Sequence, residues 1–246
     1  MQSDIHPVPR ETADIETASD AYAARFTGPA GAWMLEVQAA AVSRLLGPER
    51  GLALLEVGGG HGQLAQPLVE AGHAYTVLGS DPVCRRRIAD LVAAGRCRFV
   101  AGEVTALPFP DRSFDAALCI RLLTHCVRWP ELVGELCRVA RRTVIVEYPL
   151  HEGLHRVAPL FFGMKKKVEG NTRAWRPFRH REIVAAFEAR GFREEAVVRQ
   201  FFCPLVIHRM LKRRGLSERL EAAARRAGWT ARTGSPAISK MVRTGG

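Results

Sequence analysis

The run Leu54-Leu55-Glu56-Val57-Gly58-Gly59-Gly60-His61-Gly62-Gln63-Leu64 decides how the chain is read. A short apolar stretch ends in an acid and a set of glycines, after which Leu64, Leu68 and Val69 fall at helical spacing. The pattern is strand, tight loop, helix. Glycines serve such a loop because a side chain would hold the backbone away from a ligand and because a sharp strand-to-helix turn often takes positive φ. The helix that follows offers free N–H groups to a polar or anionic group. The stretch therefore predicts a nucleotide-cofactor loop.

Spacing selects among cofactors. A dinucleotide fingerprint wants a third glycine three residues after the second, and counting from Gly58 and Gly60 that position is Gln63. A Walker loop would end in Gly-Lys-Ser/Thr, which is lacking. What stands is acid-x-Gly-x-Gly-x-Gly, through Glu56, Gly58, Gly60 and Gly62. In this the chain resembles the class I S-adenosylmethionine (SAM)-dependent methyltransferases. A second strand, Tyr75 to Asp81, ends in an acid nineteen residues beyond Gly62, where a carboxylate can accept both ribose hydroxyls of a nucleoside. The stretch Gly102-Glu103-Val104, then Leu107-Pro108-Phe109 and Phe114-Asp115, resembles the type 11 (ubiquinone/menaquinone-like) family, as does Leu132 to Val139. That family places an acid, here Glu103, on the adenine amino group.

The resemblance covers about residues 20–150 and implies an α/β fold: a Rossmann-like, doubly wound, seven-stranded sheet with an N-terminal helical cap and a helical insertion before the last strand. It implies SAM as cofactor, S-adenosylhomocysteine as product, and a cofactor site of Glu56, Gly58, Gly59, Gly60, His61, Gly62, Asp81, Pro82, Glu103, Val104, Ile120 and Arg121. His125 follows strand four and has the chemistry of a general base, or shapes the pocket. Tyr22, Phe26, Arg121, Tyr148 and Phe162 are candidates for acceptor contact; Arg121 suits an acidic acceptor or the cofactor's carboxylate.

A chain of 246 residues, 47% hydrophobic and 25% charged, suits one globular domain over 19–246. Residues 1–18 lack apolar periodicity and predict a flexible tail, 19–48 a helical cap, and 150–180 and 204–230 acceptor-lid or insertion segments. Residues 205–228 predict one or two basic helices broken at Gly215, and a sixth strand is expected around Glu195 to Phe202. The N-terminus lacks the basic-then-apolar order of a secretory signal, and no apolar run reaches the ~20 residues that span a bilayer, so a cytoplasmic location is expected. Six scattered cysteines without a C-x-x-C pair read as reduced core residues. His151-Glu152-Gly153-Leu154-His155 matches the H-E-x-x-H form but follows a strand and Pro149 and has a central glycine, so no metal site is assigned.

The net charge of +11 is uneven: residues 151–246 hold 21 Lys/Arg against 8 Asp/Glu, and residues 1–150 hold 15 against 17. A basic C-terminal third favours an anionic substrate, an anionic membrane surface or nucleic acid. The motifs of DNA methyltransferases and an appended RNA-binding module are lacking, so a small-molecule acceptor that is acidic, aromatic or quinone-like, methylated at O, N or C, is preferred, by a monomer or homodimer. The alternatives are a non-catalytic SAM-binding regulatory module and an RNA methyltransferase using the basic lobe.

Overall fold

The computed structural model describes residues 10–151 and 175–245. Helices α1 (Ala13–Thr17), α2 (Asp20–Ala23) and α3 (Gly28–Leu46) precede strand β1 (Ala53–Val57). Then follow α4 (Ala65–Glu70), β2 (Ala74–Gly79), a 3-10 helix over Pro82–Ile88, α5 (Ala89–Ala93), β3 (Cys97–Ala101), β4 (Phe114–Cys119), α6 (Trp129–Val139) and β5 (Ala140–Tyr148). The last part holds α7 (His180–Glu188), β6 (Phe192–Arg199), α8 (Leu205–Leu211), α9 (Arg214–Arg226), α10 (Trp229–Thr233) and β7 (Ala237–Arg243).

The sheet runs β3-β2-β1-β4-β5-β7-β6. Its first five strands are parallel, and β7 is antiparallel to both neighbours. This is the expected seven-stranded, doubly wound architecture. Because successive side chains of a strand point to opposite faces, alternate residues of one strand enter different cores. Leu55 and Val57 of β1, with Ala117, Cys119, Val144 and Val146, join α6 and α7 on one face. Leu54, Ala116, Leu118 and Ile145 join α3 and α4 on the other. Burial on both faces explains why these strands read as continuous apolar runs. The strand order reverses beside β1, and the crevice at the carboxyl ends of β1 and β4 is where such sheets take ligands.

Three expectations need correction. The flexible tail gives way from Arg10 to a docked segment, because Asp14, fully buried in α1, accepts the Ser80 backbone N–H at 2.7 Å and the Ser80 hydroxyl. The break in the C-terminal helices falls at Lys212, in left-handed conformation (φ 53°), while Gly215 lies inside α9. The sixth strand starts at Phe192, directly after Gly191 (φ 73°) ends the turn out of α7.

The Glu135 and Arg138 pair of α6 fastens the loop before β4. Arg138 donates to the Leu107 and Phe109 carbonyls at 2.9 and 2.7 Å and to Asp111 at 2.9 Å, while Glu135 accepts the Leu107 N–H at 2.6 Å. Removing the guanidinium leaves these acceptors without it, so Arg138→Ala is expected to lower unfolding free energy by about 2–4 kcal/mol, the scale of lost charge-assisted hydrogen bonds. Urea titration checks it. A change of a few tenths would show that the loop holds without the clamp.

Candidate active site

Strand β1 delivers Glu56 to the carboxyl edge of the sheet, and the chain turns at once. Gly58 has φ 78°, and a Cβ there would lie 2.6 Å from the Leu122 side chain. Gly60 is equally constrained, with a Cβ 2.5 Å from the Asp14 carbonyl oxygen and 2.8 Å from Thr17 Oγ1. Beneath the loop Glu56 is fully buried. Its Oε2 accepts the Tyr75 hydroxyl at 2.6 Å, and its Oε1 has no hydrogen-bond partner. Burial raises its pKa from 4.5 to about 7, against the opposing effects of the Tyr75 bond and the Arg121 charge.

Arg121, just beyond β4, is itself in left-handed conformation (φ 63°), an uncommon state for a non-glycine residue. Its guanidinium carbon lies 4.1 Å from the Phe26 ring centroid, and its Nη1 is buried without a partner. His61 packs against Tyr22 and Phe26 at 5.4 and 5.3 Å, with an unpartnered Nδ1. Burial first, then the Arg121 and Arg87 charges, drop its pKa to about 3, so the ring is neutral. Gln63 donates to Gln38, which donates to Glu147, and Gln63 Oε1 is also unpartnered. Unsatisfied buried polar atoms are exceptional in folded chains. Here four of them belong to the glycine loop, the acid before it and the β4 turn.

The carboxyl ends of β2 and β3 are covered by the chain's own segment. Arg10 donates to the Ser80 carbonyl at 2.8 Å and pairs with Glu103 at 3.4 Å, and Glu11 accepts the Arg128 N–H at 2.7 Å. Arg87 holds the Ala18 and Ser19 carbonyls from the other side. Residues 10–19 thus lie across Gly60, Ser80 and Glu103. Asp81 caps the 3-10 helix through Oδ1, bonded to the Val83 N–H at 2.8 Å, beside exposed Pro82. Glu103 also takes the Thr105 hydroxyl at 2.9 Å and Arg128 at 3.3 Å; burial works against these contacts, but they prevail and its pKa is lowered. Val104 and Ile120 are buried apolar walls.

Tyr22 and Phe26, expected to contact an acceptor, are buried. Phe26 has a second guanidinium, that of Arg209 on α8, 5.2 Å from its centroid. Arg209, Asp14 and Gln38 were not singled out from the sequence. His125 ends a 3-10 turn over Leu123–His125, half-buried. Tyr148 is a correction: it is fully buried in the core, with its hydroxyl bonded to Ser239 and His180 at 2.8 Å each, so it is not placed for acceptor contact. Phe162 and most of the 150–180 lid, with the H-E-x-x-H run beyond His151, lie outside the described residues. Among the described residues one trio lies within metal reach, Cys203, His208 and Glu221, but both Glu221 oxygens already accept hydrogen bonds, from Phe202 N, Cys203 N and His208 Nε2.

The glycine loop at the switch point of a seven-stranded sheet with antiparallel β7 defines the fold of the class I SAM-dependent methyltransferases. A family model described as a methyltransferase domain matches residues 55–146, less than half of the chain. An uncharacterized methyltransferase of Mycobacterium avium (strain 104) is 37% identical over 91 residues, covering 37% of this chain and 36% of that protein. A fatty-acid O-methyltransferase of Mycolicibacterium smegmatis is 38% identical over 99 residues, covering 37% and 34%. The chain thus spans little more than a third of the length of these curated relatives. The crystal structure of magnesium protoporphyrin IX methyltransferase from Synechocystis PCC 6803 with bound SAH shares the fold, with TM-score 0.58 at 16% identity over 85% of this chain and 82% of that one.

Glu56 binds its proton more tightly folded, at about 7, than its ordinary 4.5. Its contribution is therefore fully present below pH ~4.5 and lost as pH rises through ~7. Glu56→Gln keeps an acceptor for Tyr75 and removes the titration. The variant is expected to gain on the parent between pH 5 and pH 8 by an amount on the order of 3 kcal/mol. Denaturant unfolding at both pH values measures this, and a pH-independent difference would contradict the buried-carboxyl assignment.

Proposed function

We propose that the chain is a SAM-dependent methyltransferase whose acceptor is a small, largely apolar molecule carrying an acidic group. The observation that carries the cofactor reading is the pair of unpartnered buried atoms, Glu56 Oε1 and Arg121 Nη1, on either side of a glycine loop too tight for side chains. An acid and a guanidinium with unused hydrogen-bonding capacity suit a zwitterionic amino-acid head, the ammonium toward Glu56 and the carboxylate toward Arg121. Asp81, whose Oδ2 has no hydrogen bond among the described residues, suits the ribose hydroxyls, and Glu103 the adenine amino group. Residues 10–19 must lift from Ser80 and Glu103 for the nucleoside to enter.

Bound SAM supplies a methyl group on a sulfonium, for in-line displacement. The chain's part is to align and dehydrate, and alignment alone can supply ~7–11 kcal/mol of such a barrier. Tyr22 and Phe26 exclude water, while Arg209 on the Phe26 ring supports an anionic acceptor. The fatty-acid O-methyltransferase relative, though matched over only part of its length, supports a carboxylate acceptor. A carboxylate is deprotonated at neutral pH and needs no base, so His125 is assigned to positioning.

Calorimetric titration with SAM tests the site. Asp81→Ala and Arg121→Ala are each expected to weaken binding at least about tenfold, the worth of one charge-assisted hydrogen bond or more, and His125→Ala to change it less than about threefold. Equal losses at Asp81 and His125 in folded variants would overturn the assignment. Tight SAM binding without methyl transfer to any fatty or aromatic acid would favour a non-catalytic SAM-binding module.

A further inference from the structure

Helix α9 is amphipathic in an unusual sense. Its inward positions are Ser217, Glu221 and Ala224, and Glu221 is held there by Phe202 N, Cys203 N and His208. Its outward line runs Leu216, Leu220, Ala223, Ala227, at the i, i+4, i+7, i+11 spacing of one helical face. Leu216 and Leu220 are 41% and 40% exposed, Met210 before the helix 52%, and Trp229 after it 53%. Among the described residues nine large hydrophobic side chains are exposed, and these four fall within twenty positions of one another in sequence, Leu216 and Leu220 one turn apart on α9 and Trp229 against Phe202 with ring centroids 5.3 Å apart.

The charges are sorted with equal care. Arg219 and Arg226, i and i+7, run along one side of the outward apolar line, and Arg213 caps the helix start; all three are exposed, and none has an ion-pair partner among the described residues. The two acids of α9 lie elsewhere: Glu221 is buried, and Glu218 is paired at 2.8 Å with Arg214, which also pairs with Glu36 of α3. A merely solvated helix face has no use for two exposed leucines one turn apart. RNA would engage the arginines but gain nothing from the leucines. A face with an apolar line and a cationic line beside it suits the interface of an anionic bilayer, where the leucines enter the acyl boundary and the arginines meet phosphates.

We propose that α9, with Met210 and Trp229, is a docking surface for an anionic lipid bilayer. Helix α8, which carries both Met210 and the acceptor-side Arg209, links this surface to the site. The surface is independent of the methyltransferase reading, because its test needs no cofactor.

The test is cosedimentation of the full chain, without SAM, with phosphatidylcholine vesicles that contain either no phosphatidylserine or roughly one-third of it. Binding is expected only to the anionic vesicles and to weaken as salt rises. Leu216→Ser with Leu220→Ser, and separately Arg219→Glu with Arg226→Glu, should each reduce it at least about tenfold. Unchanged thermal midpoints, expected for exposed positions, show that the variants are folded. Equal binding to neutral vesicles, no binding to anionic ones, or a double-leucine variant that binds like the parent would overturn the proposal. Binding of poly-uridine RNA that survives the leucine changes while vesicle binding is lacking would assign the face to nucleic acid instead.

Discussion

The structure depends on how closely the backbone passes its neighbours between Gly58 and Gly60. Leu122 fills the space a side chain would need at Gly58, and the Asp14 carbonyl fills it at Gly60. The loop is therefore packed between the β4 turn and α1, and the ends of the sheet cannot be described separately from the first helix. Beneath it the Glu56 carboxyl is cut off from water, with only Tyr75 as a partner. Burying an acid in this way is costly unless it is neutralised or paired, and its upward pKa shift is the direct sign of that cost.

Arg121 carries the complementary constraint. It sits in left-handed conformation, with its guanidinium against Phe26 and one nitrogen unsatisfied. A strained backbone and an orphaned donor at the same residue are each unfavourable, and they persist where surrounding structure holds them. The Arg121 charge acts on the Glu56 carboxyl, favouring the ionised form against burial. The covering segment 10–19 then acts as a strap, joined to the sheet by Asp14, Arg10 and Arg87 across contacts some seventy residues apart in sequence.

Much of this was legible in the sequence, for physical reasons. The parallel strands announce themselves because burial on both faces makes them continuously apolar, and the glycine loop because no other residue fits it. Asp81 was singled out by its distance from the loop, and in the structure it caps the 3-10 helix after β2. The strap was not: α1 has no apolar face, and Asp14 acquires meaning only from Ser80, sixty-six residues away. Tyr148 was misread because on a strand buried on both sides no alternation separates core from pocket. The helix break was misplaced because a lysine, rather than the nearby glycine, takes the left-handed turn. Arg209 stood within a run noted for its charge, but its approach to Phe26 comes from folding α8 back toward the cap.

The central claim is that the glycine loop holds SAM where residues 10–19 now lie. Hydrogen–deuterium exchange of the full chain at saturating SAM tests it most directly. Gly58 to Gly62 and the amides at Asp81 and Val83 should gain protection, while Ala13 to Ser19 should lose it as the strap lifts. Saturable SAM binding that leaves the loop amides unchanged would contradict the account.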